Sequence, residues 1–223
     1  MKTNYSAHDK VYKHHKEEKL PGWDSSEKDY IEFKVHLEKI IARGLAPRVG
    51  KFLELGCGAG NIAIWLAKKG YETYGVDIAP TAIAWAQEKA QKQNVVAHFS
   101  TGNVLDLSTY SNAFFDFVLD GHCLHCIIGE DRQKMFSSVR RVLKQGGYFL
   151  INTMCGPVNP EKVKNFDPIS GYTIFKGIAT RYYGLPDSIL AEIEKAGFSI
   201  MHWEVEHGDP NATLTVEAVN HES

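Results

Sequence analysis

Residues 53–61 read Leu-Glu-Leu-Gly-Cys-Gly-Ala-Gly-Asn. Lys51–Leu55 before them is a short apolar run with strand character, and residues 61–69 after them have helical character and stop at Gly70. Three glycines, Gly56, Gly58 and Gly60, therefore occupy a strand-to-helix turn, where the missing Cβ lets backbone approach a ligand closely. In an open parallel sheet such turns lie at the carboxyl ends of the strands, where ligands bind. Asp77 closes the next strand, Glu72–Asp77, and a carboxylate there can accept both hydroxyls of a ribose. A dinucleotide site wants G-x-G-x-x-G with a helix start facing pyrophosphate. Here the glycines alternate and Glu54 precedes them, which suits a ligand carrying an ammonium group and no phosphate.

The same alternation continues outward. Residues 80–93 form a helix with Pro80 in its first turn, 95–100 and 115–120 are strands, 130–144 is an amphipathic helix and 148–154 a strand. Strands alternating with helices predict an α/β fold, a mostly parallel sheet covered on both faces. Before it, residues 1–20 are charged and irregular, and 25–43 form a helix capped at Ser25 or Ser26 and ended by Gly44. After it, 155–184 carries glycine, proline and aromatics with little periodicity. Residues 186–196 are helical, and 199–206 and 212–219 are strands joined by His-Gly-Asp-Pro-Asn, too short a link for anything but an antiparallel hairpin. The expected organisation is one domain: a cap and helix over 1–49, a ligand-binding core over 50–154, a lid over 155–184, and a final helix and hairpin over 185–223.

With 223 residues, 43% hydrophobic and 23% charged, the chain is ordinary globular protein, and a net charge of −2 gives no basic face for nucleic acid. The N-terminal residues are too polar for a signal peptide, and no apolar run reaches bilayer length. The expectation is a cytoplasmic protein with four reduced cysteines, monomeric or homodimeric, with no membrane or nucleic-acid partner.

Glu54-x-Gly56-x-Gly58-x-Gly60 resembles the first motif of class I S-adenosylmethionine-dependent methyltransferases. YGVDIAP (74–80), TGNVLDL (101–107), FDFVLD (115–120) and VRRVLKQGGYFLI (139–151) are similar to the motifs that follow, in order, so the resemblance spans roughly residues 50–220. It implies a Rossmann-like, seven-stranded sheet whose last strand is antiparallel, with S-adenosylmethionine as cofactor and S-adenosylhomocysteine as product. By position it implies that Gly56, Cys57, Gly58 and Gly60 line the methionine moiety above Glu54. Asp77 would hold the ribose, Ile78 would pack on the adenine, and Asn103 and Val104 would meet its edge. Asn103 stands where the family usually has Asp; its side-chain oxygen can still accept from the adenine amino group. KLPGWD (19–24) is similar to the P-W-D entry sequence of the thiopurine and tellurite methyltransferase group, with Gly22 inserted, so Trp23 would cap the cofactor.

Residues 120–126, Asp-Gly-His-Cys-Leu-His-Cys, leave the fourth strand at that same edge. Methyl transfer needs an aligned nucleophile, exclusion of water and, for some acceptors, a base. His122 is the first candidate base. Asp120 is a candidate to position the cofactor's ammonium or the acceptor. His125, among Leu124, Ile127 and Ile128, reads more readily as a packed histidine bonded to backbone, with acceptor contact as the other reading. A zinc site would need a second ligand arm that the sequence lacks, so no metal is expected. The acceptor is expected to be a small molecule, met by Trp23, His125, Tyr182 and Tyr183; Lys162, Lys164, Lys176 and Arg181 either favour an acidic one or belong to a solvated loop. Two alternatives stay open: a metalloid acceptor held by Cys123, Cys126 and Cys155, and a regulator that binds a nucleoside without chemistry.

Overall fold

The computed structural model describes residues 2–221. A single 3-10 turn leads into α1 (His8–Glu17), followed by α2 (Glu27–Ala42). Next come β1 (Lys51–Leu55), α3 (Asn61–Lys68), β2 (Glu72–Asp77), α4 (Pro80–Lys92), β3 (His98–Thr101), β4 (Phe115–Gly121), α5 (Asp131–Val142) and β5 (Leu143–Val158). The chain ends through three short strands, β6 (Phe166–Asp167), β7 (Tyr172–Phe175) and β8 (Ile178–Tyr182), then α6 (Pro186–Lys195), β9 (Phe198–Glu206) and β10 (Asn211–Asn220).

Seven strands form one sheet in the order β3-β2-β1-β4-β5-β10-β9. The five strands β1 to β5 run parallel, and β10 is antiparallel to both neighbours. The fold expectation holds, including the antiparallel last strand. Strand order reverses beside β1, which opens a crevice at the carboxyl ends of β1 and β4, where Leu55 pairs with Asp120.

Period-two alternation sends successive residues to opposite faces. Leu53, Leu55, Val118, Phe149 and Ile151 pack with Met135 and Phe136 of α5 and Ile189 and Ile193 of α6. Phe52, Phe117, Leu119 and Leu150 pack with Leu37 and Ile40 of α2 and Ile62 and Leu66 of α3. Beneath the second layer, Glu217 is fully buried on β10, bonded by Arg43 at 2.7 Å and by the Tyr148 hydroxyl at 2.7 Å. Ser26 caps α2, its side chain accepting from the Lys28 amide.

Three expectations are corrected. Residues 8–17, read as irregular, are helical; Tyr12 is the buried residue of that helix, which rests on α4. The lid is not aperiodic: β6, β7 and β8 make a small antiparallel sheet. The helix over 130–144 gives way at Val142, where Leu143 turns extended, so β5 begins five residues ahead of the expected Tyr148 and runs on to Val158.

Candidate active site

The glycine turn is built from left-handed backbone. Gly56, Gly58 and Gly60 have φ of 61°, 51° and 73°. A Cβ on Gly56 would come within 3.0 Å of the Cys123 sulfur, and one on Gly58 within 2.5 Å of the Tyr12 hydroxyl. Asp77 binds this turn to its own strand: one carboxylate oxygen accepts from the Gly58 amide at 2.9 Å and the other from the Ala79 amide at 2.8 Å. Glu54 lies below, its Oε2 accepting from the Ala63 amide at 2.9 Å. Burial pushes the Glu54 carboxyl up to about 8, and it raises Asp77 as well. Two desolvated carboxylates so close to a cavity wall call for a cation or for hydroxyl donors. Asn103 turns its Oδ1 onto the Leu105 amide at 3.0 Å, so the oxygen assigned to adenine already accepts one bond and keeps one lone pair.

These groups border one cavity of about 300 Å³, within the range of small-ligand sites. Glu54, Gly56, Cys57, Gly58, Asp77, Ile78, Asn103 and Val104 line it at one end; His122, Cys123, His125 and Cys126 line the other. Gly60 does not border it; it caps α3 instead, against Phe99 and Ala86.

The N-terminal residues form the cavity's cover, which composition alone did not show. Trp23 stands among His8, Tyr12 and His15, with ring centroids 5.5, 5.3 and 5.9 Å away. Asp9 accepts from the Thr81 amide at 2.8 Å, tying α1 to the start of α4. The Tyr5 hydroxyl donates to Asp131 at 3.0 Å and accepts from the Ile128 amide at 3.2 Å. The inserted Gly22 has a steric reason: a Cβ there would lie 2.4 Å from the Tyr30 hydroxyl and 2.7 Å from Asn61.

At the far end, Asp120 is fully buried and does not border the cavity. Its Oδ1 accepts from the Cys123 and Leu124 amides at 3.1 and 2.8 Å, so it shapes the turn and is withdrawn from direct contact with a ligand. Burial raises its pKa to about 7, and its Oδ2 has no partner among the described residues. His122 has φ of 67°, a strained angle for a non-glycine residue, held by its amide donating to the Asn152 carbonyl at 2.9 Å. Its ring is 5.8 Å from Phe33 and 6.1 Å from His125. Desolvation by the surrounding protein, with His36 adding to it, lowers the His122 pKa to about 4.

His125 corrects the expectation of a packed histidine satisfied by backbone. It is buried and borders the cavity, yet its Nδ1 has no hydrogen-bond partner among the described residues. Burial, His122 and the guanidinium groups Arg181 and Arg132 hold it neutral. Arg132 fixes the turn from behind: it donates to the Leu124 carbonyl at 2.8 Å and to Glu192 of α6 at 2.6 Å, and it stacks on Tyr182 of β8 at 4.8 Å. Tyr182 and Tyr183, expected at the acceptor, lie off the cavity wall; Tyr183 is buried edge-on against Phe166. Cys155 is buried off the wall too, and no three His, Cys, Asp or Glu side chains among the described residues are grouped to hold a metal ion. Burial raises the pKa of all four thiols.

A family model described as a methyltransferase domain matches residues 53–151. A putative methyltransferase of Geobacillus sp. (strain WCH70) is 34% identical over 104 residues, 46% of this chain and 41% of that protein. The 2-heptyl-1-hydroxyquinolin-4(1H)-one methyltransferase of Mycobacteroides abscessus is 26% identical over 151 residues, 67% of this chain and 64% of that one. The structure of magnesium protoporphyrin IX methyltransferase from Synechocystis with bound S-adenosylhomocysteine superposes with a TM-score of 0.65 at 22% identity, covering 86% of this chain and 82% of that one. Residues 53–151 carry a methyltransferase domain, and the fold is that of the S-adenosylmethionine-dependent methyltransferases. The alignments with these two curated relatives span 41% and 64% of the relatives' own lengths.

The methyltransferase domain's cavity fits its cofactor on its own geometry. A buried carboxylate with one oxygen taken by backbone, Glu54, faces the glycine turn, and Asp77 lies at the end of the adjacent strand. Sequence reasoning missed Tyr5, His8, Tyr12, Tyr30 and Phe33, which also line the cavity. A signal for the last two was present, since Tyr30 and Phe33 fall on one face of a helix already expected there. Among the described residues, no helix is long and apolar enough to cross a membrane.

Proposed function

We propose that the domain transfers the methyl group of S-adenosylmethionine to a small-molecule acceptor. The observation that carries this reading is a single covered cavity joining the Asp77–Glu54 glycine cradle to the His122–His125 pair. Bound in the cradle, the cofactor supplies an electrophilic methyl on a sulfonium, a leaving group that needs no acid.

In this reading Asp77 accepts from the ribose hydroxyls, Ile78 and Val104 pack on the adenine, and Asn103 meets its edge. Glu54 and the Gly56–Gly58 backbone hold the methionine end. Tyr12 and Trp23 keep water from the reacting centre, and His122, neutral at pH 7, takes the acceptor's proton. Asp120 acts through the turn it holds. A small acceptor is supported by the cover of α1 and by the cavity's size; the Mycobacteroides relative is itself named for a small aromatic heterocycle. Nucleic acid is disfavoured because, among the described residues, no Lys or Arg borders the cavity to meet phosphate. No observation favours a metalloid acceptor: Cys155 is off the wall, and burial keeps Cys123 and Cys126 protonated.

Titration calorimetry with S-adenosylmethionine and S-adenosylhomocysteine tests the reading. Micromolar-range binding by the parent, on the order of −8 kcal/mol, that is lost in Asp77→Ala supports it. Absence of binding by the parent refutes it.

A further inference from the structure

Resting on that reading, we propose that the acceptor is a basic amine, recognised by Asp24, Asp29, Tyr30 and Phe33 and deprotonated by the imidazole pair His122 and His125. The wall is continuous. Asp24 donates its amide to the Tyr30 hydroxyl at 3.1 Å, Tyr30 and Phe33 share the inward side of the first turns of α2, and the exposed Asp29 borders the same cavity. The Phe33 ring reaches 3.7 Å from the Cβ position of Gly121 and lies 5.8 Å from His122. Four carboxylates border the cavity, Asp24, Asp29, Glu54 and Asp77, and among the described residues no Lys or Arg does. Glu54 and Asp77 belong to the cofactor end. Asp24 is half-buried, sits beside Asp29, and has no ion pair among the described residues.

An anionic acceptor would meet like charge along this wall, whereas an ammonium meets carboxylate and the faces of Tyr30 and Phe33. Lys162, Lys164, Lys176 and Arg181, the side chains that would favour an acidic acceptor, do not border the cavity. The second, independent observation is His125: 4% exposed, bordering the cavity, with Nδ1 unpartnered. Arg132 and Arg181 act on it through their charge and do not line the cavity. A neutral imidazole with an unused nitrogen suits an N–H donor. The ammonium gives one proton to imidazole, and the freed nitrogen lone pair forms the N–C bond. The C–S bond breaks with its electron pair left on sulfur, and the product departs as the N-methylammonium ion while the imidazolium returns its proton to solvent.

The test uses the full chain saturated with S-adenosylhomocysteine, titrated with 2-phenylethylammonium and with phenylacetate and followed by ligand-observed NMR. The ammonium is expected to bind at least about ten-fold more tightly than the carboxylate, and Asp24→Asn/Asp29→Asn to remove about ten-fold of that preference. His125→Gln is expected to weaken the amine while leaving melting within a few degrees. A carboxylate bound as well as the ammonium, neither probe bound, or an unchanged preference in the double variant would overturn the inference and leave methyl transfer standing. Loss of S-adenosylhomocysteine affinity in the double variant would also overturn it, by assigning those carboxylates to the cofactor. Failure of the parent to bind S-adenosylhomocysteine would instead remove the methyl-transfer reading, and this inference with it.

Discussion

Replacing Glu54 by Gln keeps the shape and the acceptor for the Ala63 amide but removes a titrating charge. In the free protein the carboxyl is held up to about 8 by burial. At pH 7 about nine-tenths of it is therefore protonated. An ammonium placed roughly 4 Å away contributes about 4 kcal/mol at an effective dielectric near 20. That is about three pK units, which brings the bound-state pKa to about 5. Between about pH 5 and 8, binding must then release a proton from Glu54, and affinity should rise by up to about ten-fold per pH unit. At pH 7 ionising the carboxyl takes back about 1.4 kcal/mol, leaving about 3 kcal/mol, so Glu54→Gln should weaken S-adenosylhomocysteine by about 100-fold. Calorimetry in buffers of different ionisation enthalpy reads the proton directly: close to one released per ligand at pH 6.5 in the parent and none from this site in the variant. Stability should move the other way. A carboxyl whose folded pKa is raised destabilises the ligand-free fold as pH climbs from its unfolded value of 4.5 to about 8. The variant should therefore gain on the parent by a few kcal/mol across that window. A parent whose affinity is flat from pH 5.5 to 7.5, or a variant that releases the same proton, would refute the assignment of Glu54 to the ammonium.

Three further outcomes follow from the geometry. Gly58→Ala puts a Cβ at φ of 51° and 2.5 Å from the Tyr12 hydroxyl, so it should cost about 1–3 kcal/mol of stability in thermal melts and weaken cofactor binding. Adding Tyr12→Phe should restore part of both. Tyr12→Ala, at a residue 4% exposed, should remove about 3 kcal/mol and raise amide exchange across α1 and the cofactor's dissociation rate together; unchanged exchange in α1 would show that the cover is held by other contacts. Arg43→Met leaves the fully buried Glu217 without its guanidinium and should destabilise by about 3–5 kcal/mol in urea unfolding.

What the sequence disclosed and what it hid divide along physical lines. The strand–glycine–helix unit, the alternation of strands with helices and the terminal hairpin were legible because each carries its own periodicity and turn chemistry. α1 was not, because a helix with Tyr12 as its one buried residue has almost no apolar stripe; packing on α4 stabilises it, not pattern. The lid sheet escaped notice because its strands are two, four and five residues long, too short for alternation to register. His125 was misjudged from its neighbours. Leu124, Ile127 and Ile128 are buried as expected, but the 3-10 turn that places them inside leaves the histidine ring on the cavity. The spacing of Tyr30 and Phe33 showed a helix, and only tertiary packing showed which site they face.

The two sides of this cavity are fastened differently. α1 is moored by separate small contacts, Asp9 to the Thr81 amide and Tyr5 to the Ile128 amide, each of which can break alone. On the opposite side one guanidinium, Arg132, joins the His125 turn, α6 and the lid strand β8 at a single rivet. Traffic of ligands thus has a side that can peel away piece by piece and a side that moves only as a block. His122 and His125 sit on the block, so the turn that carries them keeps its geometry if the cover beside them loosens.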